Sequence, residues 1–354
     1  MHCLENMSRI QIPAEQILDL IKLYKFNGKE FYYKNVFKPD LNQISKEVIE
    51  KETFYLAKIA NVNLTEARLK ILTKNNAVPK NKDEQFVLNM KRVFEKIHKN
   101  IDHVELIVPE CQRLANNLYD KIVKVDFIKT TYTDRSSLIP TRVVKSSRES
   151  LDGLLNLFNK MRKTDEYETT LMIVNFYVDF MNMKIFDKNN DMIGLLLLYM
   201  FLFYLDFRQF MLASFFEKIY KKYNFFNNAC VQASFNWEDG YSQTAPLHKM
   251  IVSILHENYK EIEAKLRDYE FDNNLNKSDD IENTILHMSE IFSKDDIRSK
   301  HPYVSESTID RTLKRLKDNG QIRPLGTGRS ARWQRIYEIE PRFNREQLSM
   351  FSDD

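Results

Sequence analysis

The chain is poor in the residues that bend or break a backbone. Its 354 residues hold only 7 glycines and 9 prolines. Few glycines leave few positions for positive φ, and few prolines leave few enforced helix ends. Long helices and few tight turns are therefore expected. Cysteine is scarce too: Cys3, Cys111 and Cys230 are odd in number and far apart, which argues against a disulfide framework or a zinc site. The 7 histidines are scattered without paired metal-ligand spacing, so no metal site is expected. No apolar run is long enough to cross a bilayer. The longest, Met192–Leu205, falls short of the roughly 20 residues required and is bounded by Asp191 and Asp206. A segment that is apolar all round in a chain with 29% charged residues reads as the central helix of a core. Met1–Ile10 carries no sustained apolar run, so no signal peptide and a cytoplasmic location are expected.

What is present is mostly helical periodicity. Ile12–Tyr24, Leu41–Val62, Glu84–His98, His103–Val123, Ser150–Arg162, Tyr167–Met183, Phe207–Tyr223 and Pro246–Tyr269 read as helices beside the central one. Asn63–Glu66 opens a further short helix, and Phe31–Pro39 looks extended. Thr130–Val144 lacks helical period and is rich in Thr and Ser, so it reads as a loop or a β-hairpin. Phe225–Gln243 is dense in aromatics, read as core packing at a helix junction, with base stacking as the other use. Phe271–Asn283 is polar and Asn/Asp-rich and reads as a linker.

After that stretch the pattern changes to a winged helix-turn-helix. Ser293 and Asp296 have capping-box spacing, which starts a short helix over Asp295–Lys300 that ends at His301-Pro302. Ser305 caps a second helix, and Asn319-Gly320 closes it. Ile309, Leu313 and Leu316 form one apolar stripe, and Thr308, Arg311 and Arg315 fall on another face. Two β-prone runs follow, Gln321–Leu325 and Trp333–Ile339, joined by a Gly-rich tip with Arg329 and Arg332. Between Arg298 and Tyr337 ten Lys and Arg stand against three Asp and Glu, in a chain whose whole formal charge is +3. Such local charge suits a polyanion, because binding releases counterions. Ser307, Thr308, Arg311, Thr312 and Arg315 are the candidate base readers. Lys314, Arg329, Arg332 and Arg335 are the candidate phosphate contacts.

The body before the linker carries, in order, Asn63–Lys74 with Lys80–His98, then Lys184–Leu197, then Ala245–Tyr259. With those passages it resembles the Fic family over most of residues 30–270. Asn63–Lys74 followed by Lys80–His98 is similar to the family's N-L-T-E-x-R … K-D-E-x-x-x-x-N passage, and Ala245–Tyr259 is similar to the helix after its T-P-F turn. Phe31–Pro39 takes the place of its extended entry. Lys184–Leu197 takes the place of its signature, H-P-F-x-D-G-N-G-R-x-G-R-L-L. The resemblance implies a helical fold and, for active members, transfer of AMP from ATP to a protein hydroxyl. In that signature the His is the base, the acid holds magnesium, and the glycines and helix start admit phosphate. The arginines neutralise phosphate charge. Here Phe186, Asn190, Gly194, Leu196 and Leu197 fit. Lys184 stands at the base, Lys188 at the metal carboxylate, Asn189 and Asp191 at two glycines, and Met192 and Leu195 at the arginines. An ammonium with pKa near 10.4 is a poor base and repels a metal. Asp187 is one residue away from the metal position. The family's autoinhibitory helix is best placed on Leu56–Asn61, with Ala60 where its glutamate would be.

Together these readings give a mostly α protein: a Fic-like helical body and a small α+β winged-helix domain. The expected divisions are 1–110, 111–270, a linker at 271–283, and 284–345. The expected function is that of a catalytically degenerate Fic-like homodimer that binds double-stranded DNA and regulates transcription, without cofactor. Two alternatives remain: a divergent nucleotidyl transferase using ATP and magnesium, and a protein-interaction scaffold.

Overall fold

The computed structural model describes residues 3–74, 77–100, 105–134, 141–301, 304–326 and 331–336. The chain divides into two compact units, Met1–Leu266 and Arg267–Asp354.

The first unit is built from α1 (Ala14–Asn27), α2 (Glu30–Val36), α3 (Leu41–Ile59), α4 (Glu66–Lys74), α5 (Lys82–Lys99) and α6 (Val108–Leu118). A hairpin, β1 (Lys129–Asp134) and β2 (Thr141–Ser146), separates these from α7 (Ser147–Thr164), α8 (Thr169–Met183) and α9 (Asn190–Leu205). Then follow α10 (Phe215–Lys221), α11 (Tyr223–Ser234) and the long α12 (Ala245–His287). The apolar run forms α9, whose residues Ile193–Phe203 are all buried. It is the central helix its composition predicts, and among the described residues no helix is long and apolar enough to cross a membrane. Tyr199 on α9 lies among Phe94, Phe210, Phe215 and Phe216, with ring centroids 4.9–6.0 Å apart. Each such side chain taken out of water contributes about 1.5–3 kcal/mol.

Three buried polar groups pin this core. His98 sits between the Ser45 hydroxyl at 3.0 Å and the Tyr199 hydroxyl at 2.8 Å. Burial lowers its pKa to about 3, so it stays neutral. Glu52 on α3 reaches across to the start of α10 and accepts from the Ser214 hydroxyl and the Phe215 and Phe216 N–H groups at 2.7–2.8 Å. Asp179 on α8 accepts from the Cys3 and Leu4 N–H groups and from Trp237 Nε1 at 2.6, 3.0 and 2.7 Å. It thereby fastens the amino-terminal segment to the core.

Three local expectations change. The helix expected over Phe207–Tyr223 breaks into a 3-10 turn, Arg208–Met211, and α10, because Ser214 caps a fresh helix start by accepting from the Glu217 N–H. Phe31–Pro39, expected extended, is helical as far as Val36, within α2. Tyr33 and Phe37, four residues apart, are both buried, so one face at helical spacing is anchored while Phe31 stays 78% exposed. The helix expected over His103–Val123 shortens to α6, with a proline in its first turn, and Lys121 takes φ 61° beyond its end. The Thr-rich stretch forms an antiparallel hairpin with Thr131 opposite Val144.

The second unit begins inside α12. Phe271–Asn283, expected as a linker, is helical throughout. Ile281 and Ile285, one turn apart, anchor the end of that helix in the unit's core. Then come β3 (Ile291–Ser293), α13 (Lys294–Lys300), α14 (Glu306–Asp318), β4 (Ile322–Pro324) and β5 (Arg332–Arg335). The strands make an antiparallel sheet in the order β3-β5-β4, with Phe292, Trp333 and Pro324 in register. Ile309, Leu313 and Leu316 of α14 pack with Ile297, Phe292 and Ile322. The capping box forms as its spacing predicts: Ser293 accepts from the Asp296 N–H at 3.2 Å, and Asp296 accepts from the Ser293 N–H at 2.8 Å. Gly320, at φ +75°, closes α14.

Candidate functional sites

The first candidate is the loop between α8 and α9. Two left-handed residues shape it: Lys184 at φ 49° ends α8, and Asn189 at φ 53° precedes α9. The Ile185 carbonyl accepts from the Ile128 N–H at 3.1 Å and the Ser147 hydroxyl at 2.5 Å. Phe186 pairs with Phe127 in an isolated antiparallel bridge, their rings stacked at 5.1 Å. Asn190 closes the loop by accepting from the Phe186 N–H at 3.0 Å. Asp187 and Asp126 lock together: the Asp187 N–H donates to the Asp126 carbonyl, and the Asp187 carboxylate accepts from the Asp126 N–H, both at 3.0 Å.

The matched positions therefore have structural partners. Phe186 is buried and Asn190 is a loop tie, while the neighbouring Asp187 is exposed and accepts from the Asp126 N–H. Gly194 serves close packing: a Cβ there would lie 2.6 Å from Met181 Sδ and 3.2 Å from the Phe180 ring. The unmatched positions Lys184, Lys188, Asn189 and Asp191 all point to solvent. Asp191, in the first turn of α9, offsets the positive end of that helix. The Arg68 and Glu84 of the amino-terminal passage form a bidentate pair at 2.8–2.9 Å, joining α4 to α5. That pair, with the Lys80 N–H, holds the Glu84 carboxyl down at about 2. Sequence spacing did not reveal it.

The second candidate is the exposed side of α14. Ser305 caps it, accepting from the Thr308 N–H at 3.3 Å. Ser307, Arg311 and Lys314 lie exposed at i, i+4 and i+7, opposite the buried stripe. Thr308 and Thr312 do not join them, being only 9% and 1% exposed. The Thr312 hydroxyl donates to the Thr308 carbonyl at 2.9 Å and meets the Ser278 hydroxyl at 2.9 Å. A hydroxyl held this way offers nothing to a ligand, so the two threonines leave the reading set. Arg315 also turns inward, to Glu282 at 2.6 Å and Asp279 at 3.5 Å. Arg335 donates to the Leu286 and Met288 carbonyls and so ties β5 to the end of α12. Arg332 is exposed on β5, and Arg329 lies outside the described residues. Among the described residues Arg311, Lys314, Lys317 and Arg332 hold no ion pair, whereas Lys294 pairs with Asp310 and Arg298 with Glu306.

Of the aromatic group, Phe226 is buried and Trp237 is bonded to Asp179. Phe225, Phe235 and Tyr241 stand 65–74% exposed, so core packing accounts for only part of it.

No protein-family model and no curated protein matches the chain. Solved structures do. A Fic family protein from Desulfovibrio desulfuricans G20 aligns with a TM-score of 0.52 at 11% identity, covering 94% of this chain and 98% of that one. A Fic domain containing signaling protein from Bacteroides thetaiotaomicron VPI-5482 aligns with a TM-score of 0.51 at 12% identity, covering 71% of this chain and 97% of that one. Identities this low speak to the backbone and not to the chemistry, and on that footing the chain has a Fic-like fold.

Proposed function

We propose that the second unit is a winged helix-turn-helix that binds double-stranded DNA, and that the Fic-like first unit is a catalytically degenerate body that serves dimerisation or ligand sensing. The observation that carries this reading is the division of α14 into a buried Ile309/Leu313/Leu316 stripe and an exposed Ser307/Arg311/Lys314 stripe. A helix seated in a major groove needs that division: one face to hold it on its domain, the other to donate hydrogen bonds to bases and phosphates. The order of a helix, β3, α13, α14, β4 and β5, with β5 central, supports the assignment. Arg332 begins β5 beside the hairpin tip, where a wing would meet the backbone. A homodimer in the cytoplasm, two copies setting half-site spacing, completes the proposal of a transcriptional regulator.

The ATP and magnesium that active Fic enzymes use do not fit the residues here. Exposed Lys188 brings positive charge to the metal position, Asp191 brings negative charge to the phosphate-facing helix start, and the Asp187 carboxylate is engaged by Asp126.

The test is mobility shift on genomic fragments at two salt concentrations, comparing wild type with an Arg311→Ala/Lys314→Ala variant. Salt-sensitive binding whose log–log slope falls by about 2 in the variant supports the reading. Absent or salt-insensitive binding sinks it in favour of a protein scaffold. Incubation with labelled ATP and magnesium tests degeneracy: adenylate incorporation abolished by Lys184→Ala would overturn it.

A further inference from the structure

A basic groove of about 630 Å³ lies in the first unit between α1 and α12 and shares no residue with either candidate described above. The two helices run side by side in the same direction. Glu15 meets Lys249 at 3.0 Å, the Asp19 carbonyl accepts from His256 Nε2 at 2.8 Å, and Asn27 accepts from the Tyr259 hydroxyl at 2.9 Å. Lys22, Lys25 and Lys29 line one wall at i, i+3 and i+7, and Lys249 and Lys260 line the other. Lys260 lies eleven positions beyond Lys249 along α12, a rise of about 16 Å.

We infer that this groove is a binding site for a compact linear oligophosphate, free or carried on a nucleotide. Five lysines face it against two carboxylates, Asp19 and Glu257. Three of the lysines carry exposed ion pairs, Lys22 with Asp19 at 3.5 Å, Lys29 with Glu263 at 2.7 Å and Lys249 with Glu15 at 3.0 Å, and Glu257 is held by Lys222; exposed pairs of this kind contribute little and can be exchanged for phosphate. Lys25 and Lys260 are exposed and hold no ion pair among the described residues. One unpaired lysine on each wall, Lys25 and Lys260, leaves a positive field in the concavity that attracts a polyanion.

Shape and chemistry narrow the ligand. Packed helices lie about 8–10 Å apart, and a groove between two of them is too narrow to receive a duplex whose major groove alone is about 12 Å wide. A single phosphate reaches only a few of the lysines, whereas a chain of phosphates spans both walls. The floor offers little to a base. Phe26 is stacked on Tyr259 at 5.7 Å, carries Lys29 Nζ over its ring at 5.3 Å, and takes the edge of His256 at 6.0 Å. Its surroundings are occupied, so the phosphates are what the site recognises. The site does not depend on DNA binding by the second unit. If both hold, it gives the body a ligand to sense.

The experiment is calorimetric titration of the full chain with sodium tripolyphosphate, ATP and adenosine, repeated on a Lys25→Gln/Lys260→Gln variant. Neither lysine has an ion partner among the described residues, so the thermal midpoint of the variant should match wild type. Saturable one-site binding of tripolyphosphate is expected, weakened about tenfold per lysine removed. Adenosine should give no heat. ATP equal to tripolyphosphate identifies a nucleotide-borne ligand, and ATP much weaker identifies free polyphosphate; either supports the site. Non-saturable binding, affinity unchanged in the variant, or sulfate matching tripolyphosphate at equal ionic strength overturns it. The Arg311→Ala/Lys314→Ala variant should retain tripolyphosphate binding, which separates failure of this site from failure of the DNA reading.

Discussion

Two helical glycines make opposite predictions for one chemical change. Gly194 lies inside α9 and Gly153 inside α7. Adding a methyl to a helix-interior glycine gains about 0.5–1 kcal/mol of backbone propensity and entropy. At Gly153 nothing lies within 4 Å of the new Cβ, so that gain should appear in full. At Gly194 the methyl would sit 2.6 Å from Met181 Sδ and 3.2–3.3 Å from two Phe180 ring atoms. Met181 is half-buried and has rotatable bonds, but Phe180 is fully buried and has little room to move. Overpacking of that kind costs about 1–3 kcal/mol. The net expectation is that Gly194→Ala destabilises by about 0.5–2 kcal/mol and Gly153→Ala stabilises by about 0.5–1 kcal/mol. Urea unfolding followed by Trp237 fluorescence measures both, in a Trp333→Phe background so that only the first unit reports. A Gly194→Ala midpoint raised as far as that of Gly153→Ala would refute the close approach of α8 to α9, and with it the packing account of Gly194.

The remaining predictions concern buried charge and the second unit. Asp179→Ala leaves the Cys3, Leu4 and Trp237 donors without their acceptor and should cost about 3 kcal/mol or more; a shift below 1 kcal/mol by the same fluorescence assay would contradict that role. Burial raises Glu52 from 4.5 to about 8, against the lowering effect of its three donors, and raises Glu30 to about 7. Both fold more tightly bound to a proton than they unfold, so their contribution is full below about 4.5 and is lost as pH rises through about 7 to 8. Thermal midpoints of the first unit should therefore fall across that window, and Glu52→Gln should flatten the fall; an unchanged slope counts against the assignment. Arg315→Ala should lower the stability of the second unit by about 0.5–1 kcal/mol through loss of Glu282 and leave DNA affinity nearly unchanged. Arg311→Ala should do the reverse, costing about 1–3 kcal/mol in DNA binding if it contacts guanine. Paired melts and mobility shifts distinguish them.

Much of the local order is legible because its cause is local. The capping box at Ser293, the cap at Ser305 and the stop at Gly320 depend on residues a few positions apart. The apolar stripe of α14 depends on helical period alone. The faces of that helix were harder to read. Thr308 and Thr312 count as polar, yet a threonine whose hydroxyl bonds within its own helix can pack like a small apolar residue, so α14 buries a wider arc than its aliphatic positions mark. Phe271–Asn283 misled for a related reason. Its Asn and Asp content argues for a loop, but Ile281 and Ile285 gain more from the second unit's core than those residues lose in helix propensity. β3 left no clear signal, because a three-residue strand is defined by its neighbour β5 and not by its own pattern.

The sequence by itself determined that this chain is mostly helical, that Met192–Leu205 lies at the centre of its core, that Lys184, Lys188 and Asp191 interrupt a recognisable signature, and that cations gather near its end. Those properties belong to single residues and short spacings. Only the tertiary structure decided which cations are available: Arg315 and Arg335 are held by groups 33 or more positions away, whereas Lys25 and Lys260, distant in sequence, line one groove. Charge is written in the chain, but whether it faces a partner, a ligand or an internal counterion depends on which distant segments the fold brings beside it.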